Sequence, residues 1–152
     1  MTREKILDCM EGFALPDWET LPDFGLYMDQ VLTFVSRTFA CAGDRLDLTS
    51  SMINNYVKAG LIDKPAGKKY SRDALAQLLM IVQLKLSTPL DLMKELLHPE
   101  SGPDTRGLYE LFRKYQEQII TEYRKTDEAP RLVYALSSSA LQWILRLSGE
   151  EN

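Results

Sequence analysis

The alternation of apolar and polar positions divides the chain into helices joined by short breaks. Residues 3–11 carry Ile6, Leu7 and Met10 on one side of a short amphipathic helix that Gly12 ends. Residues 26–39 place Met28, Leu32, Val35 and Phe39 on one stripe, which Val31 and Phe34 widen, so this helix is expected to be largely buried. Ala42-Gly43-Asp44 breaks it. A third helix is predicted over about residues 49–59, with Thr49 or Ser50 as its cap and Gly60 as the left-handed residue that ends it. On it Ser51, Asn54, Asn55 and Lys58 recur at i, i+3, i+4 and i+7 along one stripe, with Ile53, Tyr56, Val57 and Gly60-Leu61 opposite.

Ser71 caps a helix over residues 72–86 with Leu75, Leu78, Leu79, Val82 and Leu86 at helical spacing. Pro89 restarts the chain into a short helix over residues 90–97, which His98-Pro99 stops. Residues 105–123 form a helix bearing Leu108, Phe112, Tyr115 and Ile119. Pro130 opens the last, with Leu132, Leu136, Ala140, Trp143, Ile144 and Leu147.

Two of the breaks have character of their own. Leu15-Pro16-Asp17-Trp18 and Leu21-Pro22-Asp23-Phe24 are turn-like units, each with an aromatic residue, and read as an ordered arm packing Trp18 and Phe24 onto the body. Pro65-Ala66-Gly67 followed by Lys68-Lys69-Tyr70 reads as a tight basic hairpin over residues 63–71, whose arms are the strand candidates. The expected fold is therefore mainly α, with a short two-stranded wing and additional N- and C-terminal helices. It is expected as a single domain over residues 1–152: an N-terminal helix and arm (1–25), a core (26–97) and a C-terminal helical pair (98–152) that forms a dimer seam or a ligand pocket.

Charge changes this picture at one place. The net charge is −4, which argues against a protein that coats nucleic acid without selectivity. Residues 1–51 carry four Lys/Arg against nine Asp/Glu, whereas residues 52–72 carry five against Asp63 alone. The basic charge thus gathers on the polar helix and its hairpin, the pattern of a local phosphate contact on an acidic body. A short polar helix leading into a basic hairpin suits a duplex: the helix fills the major groove and the hairpin lysines meet phosphate. The candidate DNA-binding residues are Ser51, Asn54, Asn55, Lys58, Lys64, Lys68, Lys69 and Tyr70. The same stretch also reads as a surface helix and a solvated loop, since Asn is common at caps and turns as well as at adenine.

Taken in order, the segment resembles a MerR-type winged helix-turn-helix over residues 26–97. The marks are Met52-Ile53-Asn54-Asn55-Tyr56-Val57-Lys58-Ala59-Gly60-Leu61-Ile62, the wing end Lys68-Lys69-Tyr70-Ser71, then Leu75, Leu78 and Ile81, then Pro89-Leu90-Asp91-Leu92-Met93-Lys94-Glu95-Leu96-Leu97. Asn54 stands where that pattern has Arg in the recognition helix, Lys68 stands for the wing Arg, and the family's long antiparallel dimerisation helix is absent. Together with Leu26-Tyr27-Met28-Asp29-Gln30-Val31, the same runs are similar to a bacterial family called domain of unknown function 1836, over most of the chain. The expected function is a DNA-binding transcription regulator with double-stranded DNA as partner; if the protein dimerises, the C-terminal helices form the homodimer seam, and no small-molecule effector is identified.

Enzymatic chemistry finds no footing in the motifs. There is no HExxH, GxSxG, Walker A or GxGxxG pattern, and nothing pairs a nucleophile with a base. His98 stands at a helix end, where it can satisfy the last carbonyls. Asp127-Glu128 and Glu150-Glu151 look solvated. Cys9 and Cys41 stand alone and are expected to be reduced and buried. No cofactor and no metal are expected. The longest purely apolar run, residues 78–82, is too short to span a bilayer, and without a secretory signal the chain is expected to be cytoplasmic. Tyr109, Tyr115, Tyr123, Tyr134 and Trp143, with Ser137-Ser138-Ser139-Ala140, read as helix–helix core, or else as a small-molecule pocket or dimer seam. The rival function is a protein-interaction adaptor on a winged-helix scaffold, which would have no need to keep Lys58, Lys68 and Lys69 on one surface.

Overall fold

The helix α4 (Arg72–Leu84) is apolar almost all round, and that decides its place. Every residue from Ala74 to Val82 is buried, so the other helices assemble on it. The computed structural model describes residues 2–85 and 88–125. The expected last helix from Pro130, with Tyr134, Trp143 and the Ser137-Ser138-Ser139-Ala140 run, lies outside those residues, as do Leu86, Asp127-Glu128 and Glu150-Glu151. Before α4 come α1 (Arg3–Gly12), α2 (Met28–Thr38) and α3 (Ser50–Lys58). After it come α5 (Leu90–Leu97) and α6 (Thr105–Arg124). The protein is mainly helical, as expected. A 3-10 turn at Trp18–Thr20 interrupts the arm, and a 3-10 stretch over Ala40–Leu46 occupies the place where a plain break is expected.

Local signals set most of the boundaries. Thr2 accepts from the Lys5 amide at the start of α1, and Ser71 accepts from Ala74 at 3.1 Å to start α4. Asp104 accepts from Gly107 at 2.8 Å to start α6. On α2 the buried stripe is Val31, Val35 and Phe39, with Met28, Leu32 and Phe34 half-buried beside it. Leu108, Tyr109 and Phe112 bring α6 onto α4. Tyr109 is core, packed edge-on to Trp18.

The arm is ordered, as its Leu-Pro-Asp units imply, and α6 holds it down. The Tyr109 hydroxyl donates to the Pro16 carbonyl at 2.6 Å, and Gln116 Oε1 accepts from the Leu15 amide at 2.9 Å. Arg113 pairs with Asp17 and donates to the Leu15 carbonyl. Leu15, Trp18 and Leu21 are buried. Phe24 departs from expectation: it is 72 % exposed. The cysteines also depart from it. Both are free and exposed: Cys9 lies on α1, which buries only Ile6, and Cys41 on the 3-10 stretch. Partial burial and the neighbouring Cys9 push the Cys41 thiol up.

The two-stranded wing is not formed. Among the described residues there is no sheet, only a bridge between Ala66 and Lys69 and another between Leu26 and Tyr70. The reason lies in where the backbone groups of residues 63–70 are spent. The Asp63 amide donates to Gln77 Oε1 at 2.8 Å, Pro65 has no N–H, and Tyr70 exchanges both its bonds with Leu26 at 2.8 and 2.9 Å. Beyond the Ala66–Lys69 pair no backbone bond joins the two arms among the described residues, and Tyr70 pairs outward with Leu26 instead.

Candidate nucleic-acid interface

The polar face of α3 is built from both ends. Thr49 accepts from the Met52 amide at 3.2 Å at the start. At the other end Leu61 N–H donates to the Tyr56 carbonyl and Gly60 N–H to that of Val57, at 2.9 and 3.1 Å, with Gly60 at φ +76°. That pair of bonds around a left-handed glycine is a Schellman ending. It turns the chain sharply and drives Leu61 and Ile62 into the core. With Ile53 wholly buried and Val57 half-buried, Ser51, Asn54, Asn55 and Lys58 are all exposed, as their spacing requires.

The hairpin follows at once. Ala66 and Lys69 exchange both backbone bonds at 3.0 Å around Gly67 and Lys68, whose φ values are +56° and +65°. Positive φ at both central positions is the pattern of a type I′ turn, where the second place favours Gly or Asn. A lysine there costs about 1 kcal/mol of backbone strain and stands at the tip of the loop. Lys64, Lys68 and Lys69 are exposed. Tyr70 is not: its side chain is 5 % exposed and packs in the core, where burial pushes its hydroxyl up. Of the eight candidate residues, the structure leaves seven on the surface and takes Tyr70 into the fold.

Electrostatics sets the limits of this basic surface. Arg72 is not part of it. Its guanidinium donates to the Leu21 carbonyl at 3.0 Å, lies 5.8 Å from the centre of the Trp18 ring and pairs with Glu19 and Asp23. Beyond it Asp73 faces Asp63 and Asp104, and its carboxyl is pushed up by burial and by both neighbours, against the pull of Arg72. The hairpin lysines thus border an acidic patch at the start of α4. A cation that the sequence gives no means of placing lies on the other side. Lys94 of α5 is exposed, and its Nζ would lie 3.7 Å from a methyl group on Gly60. It adds charge at the carboxyl end of α3, beside Lys58.

One buried and one half-buried polar group tie the ends of this stretch to the body. Gln77, 1 % exposed, accepts from Asp63 and donates to Thr105 at 3.2 Å, so it joins the base of the hairpin to α6. His98 donates from Nε2 to the Leu61 carbonyl at 2.7 Å; a carbonyl only accepts, which assigns the tautomer. The helix-end role expected of His98 is not what its ring does: it serves the turn after α3 and not the last carbonyls of its own helix. Gln77→Leu should destabilise the protein by about 1–3 kcal/mol, because it leaves the Asp63 amide and the Thr105 hydroxyl without this partner. Urea denaturation checks it, and a loss well under this range would mean that water replaces the side chain.

Two open grooves lie elsewhere on the described residues. One, of about 520 Å³, runs between the arm and α6 past Leu15, Arg113, Gln116 and Ile120. The other, of about 260 Å³, follows α2 past Leu26, Gln30, Phe34 and Arg37. Among the described residues no three His, Cys, Asp or Glu side chains gather closely enough to hold a metal ion, and no helix is long and apolar enough to cross a membrane.

A small helical domain with an exposed polar helix face and, next in the chain, an exposed basic turn is the class that this architecture defines. Residues 16–117, from the arm to the middle of α6, match the family model described as Domain of unknown function (DUF1836), and the chain belongs to that family. The whole α3–hairpin surface lies inside the matched span. No curated protein and no solved structure matches the chain.

Proposed function

We propose that this protein is a DNA-binding transcription regulator that uses α2, α3 and the hairpin as a MerR-like winged helix-turn-helix. In this reading α3 enters the major groove, and the turn of residues 66–69 rests on phosphate where that pattern has a wing. The observation that carries the reading is Lys68. It occupies a left-handed backbone position that a glycine would fill without strain, at the tip of the exposed turn that follows α3. A solvated loop gains nothing from that placement, whereas a phosphate contact does. One such unit reads only a few base pairs, so we expect a second copy to bring a second half-site.

The test is fluorescence anisotropy with duplex DNA at two salt concentrations. Lys68→Gly combined with Lys69→Gln keeps the turn and removes two charges. Each phosphate contact contributes about −0.9 to the slope of log K against log salt. The double variant should therefore bind every sequence more weakly and shift the slope toward zero by about 1.8. Its thermal stability should match or exceed that of the wild type, since Gly relieves the strain at position 68. Unchanged affinity in this variant would remove the hairpin from the interface.

A further inference from the structure

Phe24 stands out among the large apolar side chains, because its neighbours show how readily it would have been buried. Leu21 and Leu26 on either side are 1 % and 6 % exposed, while Phe24 is 72 % exposed and Tyr27, close by, is 47 % exposed. In an extended strand, residues 24 and 26 would face the same way. Gly25 prevents that with φ +74°, turning the chain between an exposed Phe24 and a buried Leu26. A methyl group on Gly25 would lie 3.1 Å from Lys69 Cβ, so the bare glycine also makes room for the lysine stem.

The pairing of Leu26 with Tyr70 then sorts the rest. Those two side chains point inward, and their neighbours Tyr27 and Lys69 come out together. Lys69 Nζ lies 5.3 Å from the centre of the Tyr27 ring. The bridge partner of the basic turn thus directly follows the arm: it sets Tyr27 against Lys69, with the exposed Phe24 three residues earlier. Lys69 stands against Tyr27, and along the chain Asp23 and Asp29 flank the two rings, Asp23 pairing with Arg72 at 3.7 Å. That rim is charged. An apolar protein partner would want a continuous apolar one, whereas a nucleic acid offers flat apolar faces beneath phosphates.

We propose that Phe24, supported by Tyr27, packs as an apolar wedge against a base step of duplex DNA, beside the phosphates that Lys68 and Lys69 neutralise. The proposal rests on the DNA-binding reading and adds to it an aromatic contact from outside the helix-and-hairpin segment. It follows that the arm takes part in binding and that the bound duplex is locally unstacked.

The experiment uses the full chain with a duplex, and with its single strand, carrying 2-aminopurine at successive steps. Phe24→Ala should lower duplex affinity about tenfold while leaving the salt slope unchanged. Phe24→Trp should restore it. The wild type should brighten 2-aminopurine at one step, and Phe24→Ala should not. Because Phe24 is exposed, its variants should melt like the wild type, which circular dichroism verifies. Wild-type affinity in both Phe24→Ala and Tyr27→Ala, with binding still lost in the lysine variant, would overturn the wedge and leave DNA binding standing. No duplex binding by the wild type would overturn both. Tighter binding to the single strand, lost in Phe24→Ala, would overturn the duplex assignment. A change in light scattering of Phe24→Ala without a change in DNA binding would mark the patch as a protein contact.

Discussion

Trp18→Ala should destabilise the protein by about 3–5 kcal/mol, the range for removing a large buried aromatic side chain. The indole is 5 % exposed and is held on three sides. The Tyr109 ring meets it edge-on at 5.5 Å, and the Arg72 and Arg106 guanidinium groups lie over it at 5.8 and 5.6 Å. Truncation opens a cavity where the arm crosses α4 and α6, and both arginines lose a ring while their carboxylate partners stay at the surface. Against a total of about 5–15 kcal/mol for a domain, that is a large share. For a chain of this length it lowers the melting temperature by roughly 10 °C. Trp18→Phe keeps part of the edge contact and should lose less. Urea denaturation measures both. A midpoint for Trp18→Ala close to that of the wild type would mean that the arm is a detachable flap and not part of the core.

That result would bear on what the sequence could and could not foretell. Local signals were legible wherever the cause was local: Ser71 and Thr49 cap the helices they precede, and Gly60 ends α3 where a left-handed residue is needed. The outward stripe of α3 was legible because 3.6-residue spacing fixes it. Helix α4 shows where such reasoning stops. Its spacing marked Leu75, Leu78, Leu79 and Val82, yet Ala74, Ala76, Gln77, Met80 and Ile81 are buried too. A stripe argument assumes one face in water, and α4 has none along most of its length. Gln77, a polar residue off that stripe, is buried for the same reason.

The arm shows a different limit. Its order was legible from its apolar content, but its fastenings were not, because Leu15, Pro16 and Asp17 are held by Gln116, Tyr109 and Arg113, some ninety or a hundred residues away. Burial by residue type failed twice in the candidate surface. Phe24 was expected inside and lies outside, and Tyr70 was expected on the DNA and lies in the core. One cause serves both. The bridge of Leu26 to Tyr70, with Gly25 in a left-handed conformation beside it, sets which side chains face inward, and no spacing within either segment reveals a pairing between them.

Asn54→Ala and Asn55→Ala should lose preference for the best duplex sequence while keeping non-specific affinity. Both side chains are exposed on the face of α3 opposite the buried Ile53, one turn before Lys58. An exposed Asn on a helix in the major groove can donate to adenine N7 and accept from N6, a match worth about 1–3 kcal/mol of discrimination, or roughly five- to 150-fold. Neither carries charge, so the salt slope should not move. That separates these variants from the lysine variants, which should weaken every sequence alike. Since both side chains face water and neither α3 cap uses them, stability should stay within about 0.5 kcal/mol of the wild type. Selection from random duplexes, followed by competition with scrambled DNA, reads the preference directly. Enrichment of a sequence by the wild type that both Asn variants retain in full would assign base reading to other residues. Absence of any enriched sequence would leave a charged helix and hairpin without a base code, and an adaptor built on this scaffold would become the better account.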